Sequence, residues 1–523
     1  PELLEPYVND YKINIREIAW LSDEQIASFK SDFRYVAEFF KLKRLKQDLK
    51  FDDKVPAHID AILKLLTALS GDDQYIEVLK TEGGKPKTMC EVLDRMFKKK
   101  DAEIAELKQE KAATDKEIKK TDNKISYVLP NGRILHGPEF LTVFSGIDGH
   151  AIHTVYYNPN RAFTLGGEPE YDGRGWGDRS QLQGNRGDRF LACVANLDGL
   201  DKAPSAVFFR GYYTKAYAWA VQFDGKHIVD KWFHKSEKPG EGIYGQGAHG
   251  IAVGDVDGDG FDEITFGSAA LDHDGTLLYT TKLGHGDAVH LGDFDPDRPG
   301  LEYYMPHEVK PFGIDYRDAR TGEILYREFA DRDTGRGLCA DIDSLHRGCE
   351  FWSSANKKIH DCKGNVIATP SNSIPVNFRI YWDGDLYDEL IGNSVNKGRP
   401  GESPIPNYQY YVAKWTGSNV ERIKINGKDF SEWGYSSSCN GTKATPCLQA
   451  DLFGDWREEI ILYDASDNGH LNVFSTNLPT QYRIPTLMHD HIYRMCVVWQ
   501  NVSYNQPPHL SFYLPDKYGK KKK

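Results

Sequence analysis

Cysteine and methionine are scarce: eight and five among 523 residues. So few thiols in so long a chain exclude a small scaffold held together by disulfides. An excess of positive charge is also missing. The 65 Lys+Arg are outnumbered by 77 Asp+Glu, for a net charge of -12, which argues against a broad basic face for nucleic acid. No apolar run approaches the length of a membrane-spanning helix. Residue 1 is proline, with no basic stretch and apolar core of a leader behind it, so the chain reads as cytoplasmic or as a fragment that has lost its start.

Other shortages are local. Residues 1–125 hold three of the 48 glycines and one of the ten tryptophans. They are dense in charge instead, with 24 Lys+Arg and 25 Asp+Glu; the remaining 398 residues hold 41 and 52. Net charge therefore divides as -1 and -11. This break at Ile125 predicts two unlike parts, in a chain too long for one ordinary domain.

The first part predicts helices. Ile26, Phe29, Phe33, Val36 and Phe40 recur at three- and four-residue steps over residues 23–50, behind a cap region at Ser22-Asp23-Glu24. A second helix is expected from Ala57 to Ser70, ending at Gly71. Residues 91–125 carry the runs KKKDAEIAELKQEK and DKEIKK, with Ile104, Ile118 and Ile125 on a seven-residue ladder that Lys111 interrupts. They read as a charged, solvated spacer helix, following a helical segment over 1–90. The stretch PYVNDYKINIREIAWLSDEQIASFKSDFRYVAEFFK resembles the C-terminal helical part of transposase-associated PD-(D/E)xK nucleases, over about residues 5–95. No metal-holding carboxylates on paired strands accompany it, so no nuclease activity is expected.

From Ser126 the pattern changes. Short strand-like pieces (AVFFRGYY, EITFGSA, LEYYMPH, NFRIYW, EIILYD) alternate with Gly- and Asp-rich turns, and helical periodicity is nearly absent. This predicts an all-β fold. One unit recurs, an Asp-rich turn followed by a strand: NLDG at Asn196, DVDGDGFDEITFG at Asp255, DFDPDRPGLEYY at Asp293, DIDSLHRGCEFW at Asp341, WDGDLYDELIG at Asp383 and DLFGDWREEIIL at Asp451. A β repeat of about 40–50 residues is the mark of a β-propeller.

Asp255-x-Asp257-x-Asp259-Gly260, with Glu263 beyond, reads as a Ca²⁺ loop, because alternate carboxylates converge on one cation and glycine permits the sharp turn. Its bland role is to staple a corner of the fold. Outside the turns stand polar clusters with no structural need for their residue types: Gln246 and His249 in YGQGAHG, His285 and Asp287 in LGHGDAVHLGDFDPD, and Glu308 in MPHE. Arg336 lies in DTGRGLCADID, and Asn440, Gly441, Thr442 and Lys443 in SSSCNGTKATPCLQ. His489, Asn501, Tyr504 and His509 close the series. Taken singly, each is more often a hydrogen-bonded structural group. Repeated at one place in successive units, they would line one face. His249 with His285 alone would favour Zn²⁺. Cys349 with Cys362, or Cys439 with Cys447, could pair, and sequence does not choose.

GPEFLTVFSG, GDRFLACVANLDG, GQGAHGIAVGDVDGDGFDEI, LGHGDAVHLGDFDP, DTGRGLCADID, NGTKATPCLQADLFGDWREEI and VSYNQPPHLSFYL together closely resemble the rhamnogalacturonan lyases of polysaccharide lyase family 11. The resemblance spans residues 126–523. It implies an eight-bladed, Ca²⁺-dependent β-propeller, secreted or periplasmic and monomeric. Such an enzyme cleaves the rhamnose–galacturonate backbone of type I rhamnogalacturonan, an acidic plant cell-wall polysaccharide, by β-elimination. It further implies that His249, His285, Asp287, Glu308 and Asn501 hold Ca²⁺, that Arg336 and Lys443 are the catalytic cations, and that Asn440, Gly441, Thr442 and Tyr504 bind sugar. The family motifs begin here only near Tyr127, so the expected propeller lacks its N-terminal blades, with a helical segment in their place. A non-catalytic carbohydrate- or Ca²⁺-binding remnant is the alternative expectation.

Overall fold

The structure is a computed structural model. It describes residues 21–45, 51, 54–70, 74–80, 86–95, 127, 128, 130, 132, 134, 137–160, 176–178, 185–395, 408–433, 436, 437, 439, 443–467, 469–502, 504 and 506–519. The chain forms two compact units, Pro1–Ile125 and Ser126–Lys523.

In the first unit, the single helix expected over residues 23–50 is two, Asp23–Ala27 and Phe33–Arg44. The first is set by a reciprocal cap: the Gln25 N–H donates to the Ser22 hydroxyl, and the Ser22 N–H to the Gln25 side chain. The break follows from Asp32, whose carboxylate accepts the Ala57 and His58 N–H groups and so ties the second helix to the approach of the next one. That next helix, Ile59–Ser70, lies within the stretch expected to be helical. Val36, Phe39, Leu63, Leu66, Val78 and Met89 share one core, which continues past residue 90 through Val92 and Leu93. Beyond Arg95 the expected spacer helix, with Ile104, Ile118 and Ile125, lies outside the described residues.

The second unit is all-β apart from short helical pieces. Strands Phe140–Phe144 and Ala151–Tyr156 form a hairpin, and the other strands described form six four-stranded antiparallel sheets. Counting from the strand that leads into each recurring turn, the first strands of the six are Phe190–Ala195, Ala252–Gly254, His290–Gly292, Gly337–Ala340, Phe378–Ile380 and Leu448–Ala450, the last preceded in its sheet by the two-residue strand Ser436–Ser437. Each of the six recurring turns lies between the first and second strands of one sheet.

The repeat has a hydrogen-bonding logic. A turn bends several N–H groups inward, where they need acceptors. In five sheets a buried glutamate opening the second strand supplies one. Glu263 accepts from Val256, Glu302 from Phe294 and Asp295, and Glu350 from Ile342 and Asp343. Glu389 accepts from Trp382 and Asp383, and Glu459 from Leu452 and Phe453. In three places the acidic residue just before that glutamate reaches the preceding sheet: Asp262 accepts the Asn196 N–H, Asp388 that of Asp341, and Glu458 that of Tyr381.

Helical periodicity is nearly absent from this unit, as expected, with one main exception. Residues His491–Trp499 form a helix capped by Asp490, whose carboxylate accepts the Tyr493 N–H. Ile492, Met495, Cys496 and Trp499 make its buried face and join the core of the first two sheets. Full burial stabilises by about 1.5–3 kcal/mol per large aliphatic side chain. A Cβ on Gly254 would stand 2.1 Å from Ile492 Cδ1, so glycine there lets the helix approach. The chain around and beyond this helix meets other first strands. Gln500 and Gln449 exchange hydrogen bonds of 2.7 and 2.8 Å, His509 Nε2 lies 2.9 Å from His290 Nδ1, and Arg379 donates to the Pro508 carbonyl. One segment thus touches the inner strands of several sheets.

Candidate active site

The expected polar residues share a place in the fold. His249, His285 with Asp287, Arg336 and Lys443 each lie just ahead of the first strand of a sheet. Glu308 follows the second strand of its sheet, Glu302–His307, which antiparallel pairing returns to that same end. The recurring turns occupy the opposite end.

His249, His285 and Glu308 converge, with one candidate ligand atom from each lying within 4.8 Å of the others. Both histidines are buried. His285 Nδ1 sits 2.6 Å from the Gly247 carbonyl, which fixes the ring and turns Nε2 toward Glu308 Oε2 at 3.2 Å. That distance is within hydrogen-bonding range, but the groups are not aligned for a hydrogen bond, and His285 Nε2 stays buried without one. His249 Nε2 is 3.5 Å from the same carboxylate oxygen. Tyr212 and Tyr213 place their hydroxyls 3.1 and 3.2 Å from the two ring nitrogens of His249. Burial lowers the His249 pKa and favours its neutral form. Burial alone would raise the Glu308 carboxyl, but the two histidine rings beside it outweigh that and hold Glu308 well below the usual range.

Beside this trio stands a second cluster. The buried Lys443 ammonium contacts both oxygens of Asp287, at 2.5 and 2.6 Å, and Arg336 donates to Asp287 Oδ2. Lys443 Nζ lies 3.5 Å from the centroid of the Tyr504 ring, whose other neighbour is His249, stacked at 4.3 Å. Burial pushes Lys443 down to about 8, and Arg336 adds to this against the upward pull of Asp287. Ala444, next in the chain, has φ +52°, a left-handed conformation that costs about 1 kcal/mol for a residue with a Cβ. Gly335 is where the carboxylates crowd. A Cβ there would lie 3.1 Å from Asp287 Oδ2, 3.4 Å from Glu308 Oε1 and 3.5 Å from Asp333 Oδ1.

The sequence reading missed Asp333, Tyr212 and Tyr213. Asp333 continues the exposed run Asp331-Arg332, and no local pattern singles it out. The tyrosine pair in FFRGYY was read only as strand. Burial and the charges of Glu308 and Asp287 raise the Asp333 pKa.

Asn501 donates through its amide to the Cys447 carbonyl at 2.7 Å. Asn440, Gly441 and Thr442 lie outside the described residues. Asp255, Asp257 and Asp259 gather within 4.8 Å, at the other end of strand Ala252–Gly254 from His249. Backbone N–H groups of Gly258 and Gly260 bind Asp255, and the fully buried Glu263 leaves Oε1 without a hydrogen-bond partner. Burial, with the three Asp charges adding, pushes Glu263 up to about 8.

A buried lysine and an arginine paired over one carboxylate, beside two imidazoles and a second carboxylate, make a site for proton transfer on an anionic ligand. The C-terminal domain of rhamnogalacturonan lyase family 11 matches residues 98–523, and the chain belongs to that family. It is similar to the rhamnogalacturonan endolyase YesW of Bacillus subtilis (strain 168), 44% identical over 391 residues that cover 74% of this chain and 56% of the relative. The exolyase YesX of the same organism is 44% identical over 405 residues, covering 75% and 61%. A solved family 11 rhamnogalacturonan lyase from Bacillus licheniformis matches with a TM-score of 0.63 and 43% identity, over 75% of this chain and 61% of its own. The chain therefore spans less than two thirds of the length of these relatives. Among the described residues no helix is long and apolar enough to cross a membrane.

Proposed function

We propose that the second unit is a lyase that cleaves the backbone of type I rhamnogalacturonan by β-elimination, with Lys443 as the base. The observation that carries this is the buried Lys443 ammonium, held on Asp287 beside Arg336, Tyr504 and the His249–His285–Glu308 trio. An amine lowered to about 8 is partly neutral near neutral pH and able to take a proton.

β-Elimination removes the proton at C5 of a galacturonate, forms the C4=C5 double bond, and releases the O4-linked sugar with the bonding pair. C5–H is a weak acid because the neighbouring carboxylate is already negative, so positive charge must meet that carboxylate. Arg336 supplies a planar guanidinium suited to it. Tyr504 offers an aromatic face to the sugar ring. Lys443 Nζ receives the C5 proton, and the departing O4 oxygen is protonated by solvent.

His249, His285 and Glu308 suit a divalent cation. The donors converge, His249 favours its neutral form, Glu308 is ionised, and His285 Nε2 is buried and unpartnered. When bound there, Ca²⁺ would add positive charge against the substrate carboxylate. Asp255, Asp257 and Asp259 give an all-oxygen set of the kind Ca²⁺ prefers, at the far end of the same sheet.

The six sheets are read as propeller blades. Supporting this are their consecutive four-stranded build, the repeated inter-sheet hydrogen bonds, and the C-terminal segment against several first strands. An extracellular or periplasmic setting, where such a polymer is met, fits the proposal. The test is ultraviolet absorbance of the unsaturated product while the chain is incubated with type I rhamnogalacturonan and Ca²⁺. A steady rise is expected; no rise, with polymer still bound, would overturn the lyase reading in favour of a binding module.

A further inference from the structure

Cys439 and Cys447 bracket the segment that carries Lys443. Their sulfurs lie 3.4 Å apart, with Cys439 exposed and Cys447 half-buried. The two ends of the segment are already tied. The Cys439 N–H donates to the Thr445 carbonyl at 3.1 Å, and the Cys447 N–H donates to Ile461 of the second strand of its sheet at 2.8 Å. The Cys447 carbonyl takes the Asn501 amide. One sulfur thus rides on a strand and the other on the exposed side of the segment. The distance to a disulfide, about 2.0 Å between sulfurs, is closed by side-chain rotation. The other cysteine pair open in the sequence is engaged elsewhere: the Cys362 thiol donates to the Arg347 carbonyl at 3.2 Å, and the Cys349 thiol hydrogen-bonds the Cys339 sulfur.

We infer that Cys439 and Cys447 are a thiol–disulfide site that cross-links the segment carrying Lys443 and so holds that side chain on Asp287. Hydrogen bonding from the Cys447 thiol lowers the Cys439 pKa to about 7, which makes Cys439 the attacking sulfur. The oxidant is a small dialkyl disulfide such as oxidised glutathione. The Cys439 thiolate attacks one of its sulfurs, the external S–S bond breaks, and the first thiolate leaves and is protonated. Cys447 then loses its proton and attacks the Cys439 sulfur of the mixed disulfide, expelling the second thiolate. Two protein thiols are oxidised, and one external disulfide is reduced to two thiols. The cross-link restrains a short loop whose Ala444 is held in a left-handed conformation, so its loss frees Lys443 to wander.

The effect on catalysis rests on the lyase reading, whereas formation of the bond does not, and the experiment separates them. The full chain is equilibrated with oxidised or with reduced glutathione, alkylated and digested with trypsin, which cuts after Lys443. Oxidised protein is expected to give two peptides joined through Cys439 and Cys447 that separate on reduction. It is also expected to resist cleavage of the native chain after Lys443 and to melt a few degrees higher. On type I rhamnogalacturonan the reduced form is expected to lose roughly three- to tenfold in kcat with KM little changed. C439S and C447S should each match the reduced form and ignore the glutathione ratio. Failure to recover the joined peptides from oxidised protein overturns the site. Joined peptides with unchanged melting, proteolysis and kcat overturn its positioning role. If no form cleaves the polymer, the lyase reading falls, and melting and proteolysis still decide the cross-link.

Discussion

Two of the recurring turns begin with the same problem and solve it differently. In each, three carboxylates bring oxygens within 4.8 Å of one another: Asp255, Asp257 and Asp259 in one, Asp383, Asp385 and Glu389 in the other. In the second turn the Lys414 ammonium sits among all three, 2.6 Å from Asp385, 3.1 Å from Glu389 and in contact with Asp383. It comes from the third strand of the same sheet, Tyr408–Trp415. In the first turn the equivalent strand is Ala269–Leu271, short and apolar. There, among the described residues, the nearest basic group is His273, 3.9 Å from Asp259. The comparison teaches that the repeat creates a cation-shaped vacancy of charge, which the chain fills with its own ammonium where a strand supplies one. In the first turn no lysine or arginine takes that place among the described residues, which is why Ca²⁺ is proposed for it. The cleft shows the same division, since Lys443 and Arg336 pair directly with Asp287 while the ion-pair partners of Glu308 among the described residues are His249 and His285.

The largest effect expected is in the cleft. Lys443→Ala should lower kcat on type I rhamnogalacturonan by about 10²–10⁴-fold, read from initial rates of absorbance increase under conditions where the variant is folded, and should also lower the melting temperature because buried Asp287 loses an ion-pair partner. Next comes Lys414→Met, which strips the second turn of its tethered charge. A loss of about 2–3 kcal/mol in denaturant unfolding is expected, recovered in part by millimolar Ca²⁺ as the second turn comes to behave like the first. If Ca²⁺ does nothing for Lys414→Met, the two turns are not equivalent.

The paired substitution D257N/D259N should remove most of the Ca²⁺-induced rise in melting temperature, by about 1–2 kcal/mol, and leave a Lys414 turn unaffected. An unchanged Ca²⁺ response would break the comparison from the other side. The last effect concerns pH. Burial raises Glu302 from its ordinary 4.5 to about 8, with Asp293 and Asp295 adding. The native state therefore holds that proton more tightly than the unfolded chain, and stability falls as pH rises from about 4.5 to 8. Glu302→Gln should flatten that fall in a series of thermal melts, while Lys414→Met should not.

Much of this was legible in sequence because it is local. An Asp-x-Asp-Gly turn followed by a β-branched or aromatic run states its own geometry within about ten residues, and all six recurring turns lie between first and second strands. The placing of His249, His285, Asp287, Arg336 and Lys443 ahead of first strands follows from the same repeat. What escaped is relational. Lys414 lies 25 to 31 residues from the carboxylates it neutralises, and nothing beside it in the chain announces the pairing. Asp333 matters only because Gly335 lets three carboxylates approach. The helix His491–Trp499 is a different kind of miss. Ile492, Met495, Cys496 and Trp499 keep helical spacing behind an Asp cap, and the signal was hidden by the β-rich chain around it.

The most direct measurement is proton NMR of the products released from type I rhamnogalacturonan by the full chain and by Lys443→Ala. The account predicts a vinylic H4 signal from the C4=C5 double bond in the first digest and at most a trace in the second. New reducing ends without that signal, or an undiminished signal from Lys443→Ala, would contradict it.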